Sequence, residues 1–113
     1  MQPADFRVRL RGRNFLLADG DRIGRYAFDV TVFVHARDPD EARENAVRAL
    51  ADDEDLRSAL RNPHDDPPLV YTLESVAIPR DIAPPPKRSA FVFRPDDGTE
   101  PEPGLPEEPR TPR

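Results

Sequence analysis

Two histidines, His35 and His64, are the only side chains in this 113-residue chain whose ordinary titration falls near neutrality. With Asp29, Asp65 or Asp66, either could form half of an acid–base pair or ligate a metal. Neither stands in a ligand-spaced motif, and a strand-surface and a loop position account for them equally well. The acidic runs Asp52-Asp53-Glu54-Asp55 and Asp19-Gly20-Asp21 offer oxygens to calcium. Both lack the alternating ligands and terminal Glu of an EF-hand loop. Helix capping explains the first run and a tight turn the second. Ser58, Ser75 and Ser89 lack the Gly-flanked elbow of a hydrolase nucleophile. The five glycines are scattered and build no phosphate loop. There is no Cys, which removes thiolate catalysis, disulfides and cysteine metal sites. The expectation is a non-enzyme with no catalytic, cofactor or metal residue. A small enzyme built on His35 or His64 would need a pocket holding a carboxylate in reach.

Recognition chemistry is better represented. Arg7, Arg9 and Arg11 alternate along one apolar run, and Phe33 and His35 stand at outward positions of the next. Arginine beside aromatic side chains on an open sheet can hold single-stranded RNA by phosphate contact and base stacking. The plainer account is a solvated strand face, with Phe33 covered by a later segment or a second subunit. No RNP-type Gly/aromatic signature is present. The candidate binding face is therefore Arg7, Arg9, Arg11, Phe33 and His35, with nucleic acid not the favoured ligand.

The elements that must position this face follow from periodicity. Phe6, Val8 and Leu10 alternate with the three arginines, so the segment reads as a half-buried strand. Gly12 interrupts it and a bulge there would join it to Phe15-Leu16-Leu17. Asp19-Gly20 signals a turn. Tyr26, Phe28, Val30, Val32, Val34 and Ala36 then place one apolar face on a long strand. Asp38-Pro39-Asp40-Glu41 begins a helix, with a cap, Pro at the first position and a capping-box Glu. Ala42, Ala46, Ala49 and Leu50 form its stripe. A second short helix is capped at Asp53 and carries Leu56, Ala59 and Leu60. Asn62–Pro68 is a loop. Leu69–Ile78 reads as a strand whose phase slips near Glu74-Ser75. Leu69, Tyr71 and Leu73 share one side, and Val76 and Ile78 the other.

Residues 79–89, with Pro84-Pro85-Pro86, read as an extended linker to a late strand at Ala90–Phe93. From Pro95 the chain is rich in proline and acid with one large apolar residue, Leu105. It reads as a disordered tail over 95–113 after a compact domain over 1–94. The fold class expected is α+β: a small, mostly antiparallel sheet in ββααβ order, with one more strand open, and helices on one face.

Hydrophobic residues make up 36 % of the chain, below the roughly 45–50 % usual for globular domains. A small core is marginal, and a homodimer or a protein partner would help cover it. The net charge is −5, unevenly spread. Residues 1–37 are locally basic and residues 38–66 strongly acidic, so net charge does not assign a partner. No apolar run approaches the roughly 20 residues of a membrane span, and the first residues lack a signal-peptide pattern. A cytoplasmic protein with no membrane partner is expected. The preference for Arg over Lys, with frequent Ala and Pro, suggests a GC-rich bacterial genome.

Three stretches carry a resemblance. Arg11-Gly12-Arg13-Asn14-Phe15-Leu16-Leu17, the strand from Phe28 to Ala36 entering Asp38-Pro39-Asp40-Glu41-Ala42, and Asp65-Asp66-Pro67-Pro68 resemble a group of small bacterial proteins. Those proteins share an RGxNFLL, an AxxPxEA and a DDPP pattern. The likeness spans about residues 6–79, implies a compact α+β domain and brings no activity with it. The helix Glu41–Leu50 is also similar to the EEAxxNAxxAL helix of HicB-type antitoxins; the Pro-Gly-Cys segment preceding it there has no counterpart here. Together these features lead to the expectation of a small binding or regulatory module acting through a protein partner.

Overall fold

The computed structural model describes residues 3–79 and 87–107. Six elements follow in order: β1 (Ala4–Asp19), β2 (Arg22–Ala36), α1 (Pro39–Ala51), α2 (Glu54–Ala59), β3 (Leu69–Ala77) and the short β4 (Val92–Pro95). The sheet order is β3-β1-β2-β4, and every pairing is antiparallel. The α+β class expected from periodicity holds at this level.

β1 and β2 form a long hairpin closed by Gly20 at φ 65. Their even-numbered apolar residues point to one side before the bulge. Phe6, Val8 and Leu10 sit opposite Val34, Val32 and Val30, and this inner face carries most of the core. The helix α1 lies on it through Ala42, Ala46 and Leu50, all buried. An alanine-rich stripe permits the close approach. The Asp38 side chain accepts from the Glu41 N–H at 2.8 Å. Glu41 returns its carboxylate to the Arg37 N–H, one residue before the cap, rather than to Asp38 itself. Asp53 caps α2 by accepting from Leu56 N–H at 3.1 Å, and Leu56 enters the core.

Two irregularities re-aim side chains. In β1 the register shifts between Gly12 and Phe15, so Arg13 and Asn14 have no partner in β2. Gly12 admits the ring of Phe28 where a Cβ would stand 2.4 Å from it. The left-handed residue is Asn14, at φ 58, so the bulge sits beyond the glycine. In β3 the slip falls between Thr72 and Glu74 and leaves Leu73 unpaired. Tyr71, Glu74 and Val76 therefore all face the side of Arg11, Arg9 and Arg7. This corrects the expected assignment of Val76 to the side opposite Tyr71.

Asn62 ties the loop after α2 to the bulge. Its side-chain carbonyl accepts from Leu16 N–H at 2.9 Å, and its amide donates to the Asn14 and Asp66 carbonyls. Asn14 in turn donates to the Asp66 carboxylate at 2.8 Å. At the other edge, Ser89 N–H donates to Thr31 O at 2.8 Å and Phe33 N–H to Lys87 O at 2.9 Å. The expected linker is thus laid along β2 at its end; its residues 80–86 lie outside the described residues. Beyond β4 the chain continues against the sheet through residues 96–107, within the stretch read from sequence as a tail. Residues 108–113 lie outside the described residues.

Candidate binding surfaces

The register places the five residues singled out from sequence on one face. Arg7 stands opposite Phe33, Arg9 opposite Thr31, Arg11 opposite Asp29 and Asp5 opposite His35. Counter-charges share that outer face. Arg11 donates from Nε and Nη2 to both Asp29 oxygens, at 2.8 and 3.0 Å. Arg7 meets Glu74 at 3.2 Å, and His35 Nδ1 lies 3.1 Å from Asp5. The Arg11 hydrogen bonds hold the Asp29 carboxyl below the usual carboxylate range. Among the described residues Arg9 has no ion-pair partner. Phe33 is half-buried. The open part of the face is consequently narrow and close to neutral.

The remainder is covered. Residues 96–107 cross the outer face as a strap from the β4 edge to the β3 edge. Asp96 receives Arg13 Nε at 3.1 Å and Nη2 at 2.9 Å, Asn14 N–H at 2.8 Å and Gly98 N–H at 3.1 Å. Both side chains of the Arg13–Asp96 pair are buried. Their hydrogen bonds hold the Asp96 carboxyl far below its ordinary value, against the opposing effect of burial. Glu100 receives Arg94 at 2.7 and 2.8 Å and lies 3.8 Å from Arg11. Tyr71 is buried under the strap, and that burial raises its phenol pKa. At the far edge Glu107 N–H donates to Val70 O, and its carboxylate reaches Arg43 of α1 at 3.1 Å.

The inner face is left incomplete at the opposite edge. β4 sets Phe93 opposite Phe28, on the helix side, but the helices do not extend over it. Phe93 packs edge-on to Tyr26 and Phe28, with centroids 6.0 and 5.6 Å away, and Phe91 joins at 5.1 Å from Phe28. Between this aromatic floor and α2 runs an open cleft of about 530 Å³, lined by Leu17, Tyr26, Leu56, Ala59, Phe91 and Phe93. Phe93 remains 46 % exposed on this side, whereas Val92, paired with Asp29, is on the outer face. Asp19, Asp55 and Arg88 are also on the cleft wall. Arg88 lies 4.3 Å over the Phe91 ring and is held by Asp53 and, at 3.0 Å, by Asp55. Burial pushes Asp53 up, but the Arg88 bond and the Leu56 N–H outweigh it and hold the carboxyl low.

The cleft residues escaped the sequence-level site because the aromatic pair 91/93 gains meaning only once β4 is paired with β2. The usable signal was parity: Phe91 and Phe93 alternate like Tyr26 and Phe28. The other candidates stay apart. His35 lies at the C-terminal end of β2, beside the start of β1, whereas His64 is in the loop pinned to Asn14, towards the other end of β1. Both are exposed. Asp53 is a helix cap, Asp19 a turn residue, and Ser58 and Ser75 donate to backbone carbonyls. Among the described residues no group of His, Asp and Glu is arranged to hold a metal, and no helix is long and apolar enough to cross a membrane. No family model, curated protein or solved structure matches the chain.

Proposed function

We propose that the chain is a non-enzymatic binding module that seats an apolar side chain of a protein partner in the cleft between α2 and β4. The observation that carries this is the uncovered aromatic floor. A chain with few hydrophobic residues leaves Phe93 about half exposed, beside Phe91 and Tyr26, on a concavity of about 530 Å³. Concave, aromatic-lined sites with a few charged groups at the wall are the usual form of a recognition pocket. Partly exposed aromatic residues are also the typical anchors of protein interfaces.

The test compares two surfaces. A photoreactive aromatic residue placed at Phe93, on the cleft floor, should cross-link a partner protein in cells, and one placed at Arg9 on the outer face should not. Ala90→Trp, which fills the cleft from an exposed position, should abolish the Phe93 adduct. Adducts from the Arg9 position alone would move the function to the outer face. A second reading, single-stranded RNA on that face, rests on Arg9, which has no ion-pair partner among the described residues, near Phe33. It requires salt-dependent oligonucleotide binding that Arg7→Ala with Arg9→Ala removes.

A further inference from the structure

We infer that the partner segment seated in the cleft is basic, carrying Arg or Lys beside its apolar anchor. The inference deepens the binding-module reading and rests on it.

Three carboxylates stand around the cleft against one guanidinium: Asp19 and Asp55 on its wall, Asp53 beside Arg88, and Arg88 itself. Each guanidinium nitrogen of Arg88 is engaged by its own chain. Its Nε donates to Asp53, its Nη2 to Asp55 and its Nη1 to Ser89 O, while its plane covers Phe91. Its charge is already met by two carboxylates of the chain. Asp19 has no ion-pair partner among the described residues, although Arg22 is its neighbour across the hairpin end. The Asp55 side chain is 86 % exposed, with only one oxygen used by Arg88. Uncompensated charge at the cleft wall is therefore negative.

Arg88 also shows, within the chain, what this wall accepts: a guanidinium over an aromatic face with carboxylates at its edge. That combines cation–π attraction with charge-assisted hydrogen bonding. A second cation reaching Asp19 or the free oxygen of Asp55 would meet the same chemistry. A carboxylate of a partner would meet repulsion from both. Specificity of this kind comes as much from excluding acidic segments as from attracting basic ones.

The experiment uses the full chain and three labelled 12-residue peptides with one Leu-Phe-Leu centre, flanked by Arg, Gln or Glu pairs. Affinity is read by fluorescence anisotropy. Exposed carboxylates each change affinity by a factor of roughly 1.5–5. The Arg peptide should therefore bind about 10-fold tighter than the Glu peptide at low salt, with the Gln peptide between. The gap should close in 0.5 M salt, as screening predicts. Asp19→Asn with Asp55→Asn, both exposed positions, should remove the gap without removing binding of the Gln peptide. Equal affinities, or tightest binding of the Glu peptide, would overturn the basic-partner inference and leave the cleft as the site. Binding of none of the three at millimolar concentration would overturn both readings. Concentration-dependent dimerisation abolished by Ala90→Trp would make a second copy the occupant, and the inference would fall.

Discussion

The strap is held principally by one buried ion pair, and breaking it from one side should be costly. In Asp96→Ala the Arg13 guanidinium, whose side chain is 8 % exposed, loses the bidentate partner that is itself 5 % exposed. Arg13 keeps only the Glu100 carbonyl at 3.0 Å and that residue's carboxylate at 3.7 Å. The Asn14 and Gly98 N–H groups lose their acceptor as well. Removing one partner of a buried pair typically costs about 3–5 kcal/mol. The surviving Glu100 contacts place the expectation at about 3 kcal/mol, a large share of the roughly 5–15 kcal/mol that stabilises an ordinary domain. Urea unfolding followed by circular dichroism should show a midpoint lowered by about 1.5 M, for a slope near 2 kcal/mol/M. Arg13→Met with Asp96→Ala should recover part of the loss, since no buried charge is then left unpaired. The pH dependence has a definite sign. The folded Asp96 carboxyl is held below its unfolded value of about 3.9. Its contribution is complete above that value and is lost as pH falls toward the depressed folded value. The wild-type advantage over Asp96→Ala should be flat from pH 5 to 8 and narrow below pH 4. A cost under about 1 kcal/mol, or a double variant equal to the sum of the singles, would refute the idea that the pair anchors the strap.

Gly12→Ala would set a Cβ 2.4 Å from the Phe28 ring and 2.8 Å from Phe15. Overpacking of this kind should cost about 1–3 kcal/mol, and an unchanged thermal midpoint would show that the rings yield freely. Asp53→Ala removes the α2 cap and one partner of Arg88 together. A loss of about 0.5–2 kcal/mol is expected from the cap alone. Faster amide exchange should be confined to α2 and the Arg88 segment; exchange rising evenly over the sheet would contradict a local role.

The hairpin, both helices and their caps were legible because each rests on local signals: alternation, a turn glycine, a capping aspartate. The outer placement of Arg7, Arg9, Arg11, Phe33 and His35 followed from the same alternation. What was not legible depends on distant partners. The side chosen by Val76 is set by Leu73 dropping out of register, which a count of residues does not reveal. Arg13 reads as one more basic strand residue, yet the bulge buries it against an aspartate 83 positions away. The acidic, proline-rich stretch after Pro95 has almost no apolar surface to bury, and composition alone describes it as a tail. Its residues 96–107 pack through charge instead, because the sheet supplies Arg13 and Arg94, and α1 supplies Arg43, to meet Asp96, Glu100 and Glu107.

That pairing bears on how the resemblance patterns should be understood. The bulge residues Arg13 and Asn14 belong to the first pattern. Asn14 donates to Asp66 of the DDPP stretch and Arg13 holds Asp96. These residues join the bulge, the loop before β3 and the strap into one corner of the fold, which is a structural reason for their chemistry. With that corner accounted for, the outer face keeps few uncommitted cations, chiefly Arg9. The inner face at β4 is different in kind: its aromatic side chains are packed on one side and bare on the other, and Asp19 beside them has no ion-pair partner among the described residues. Burying Phe93 further would remove apolar surface from water, at roughly 25 cal/mol per Å², while the arginines of the outer face already have most of their partners. On energetic grounds a partner therefore has more to gain in the cleft than on the surface that the sequence alone singled out.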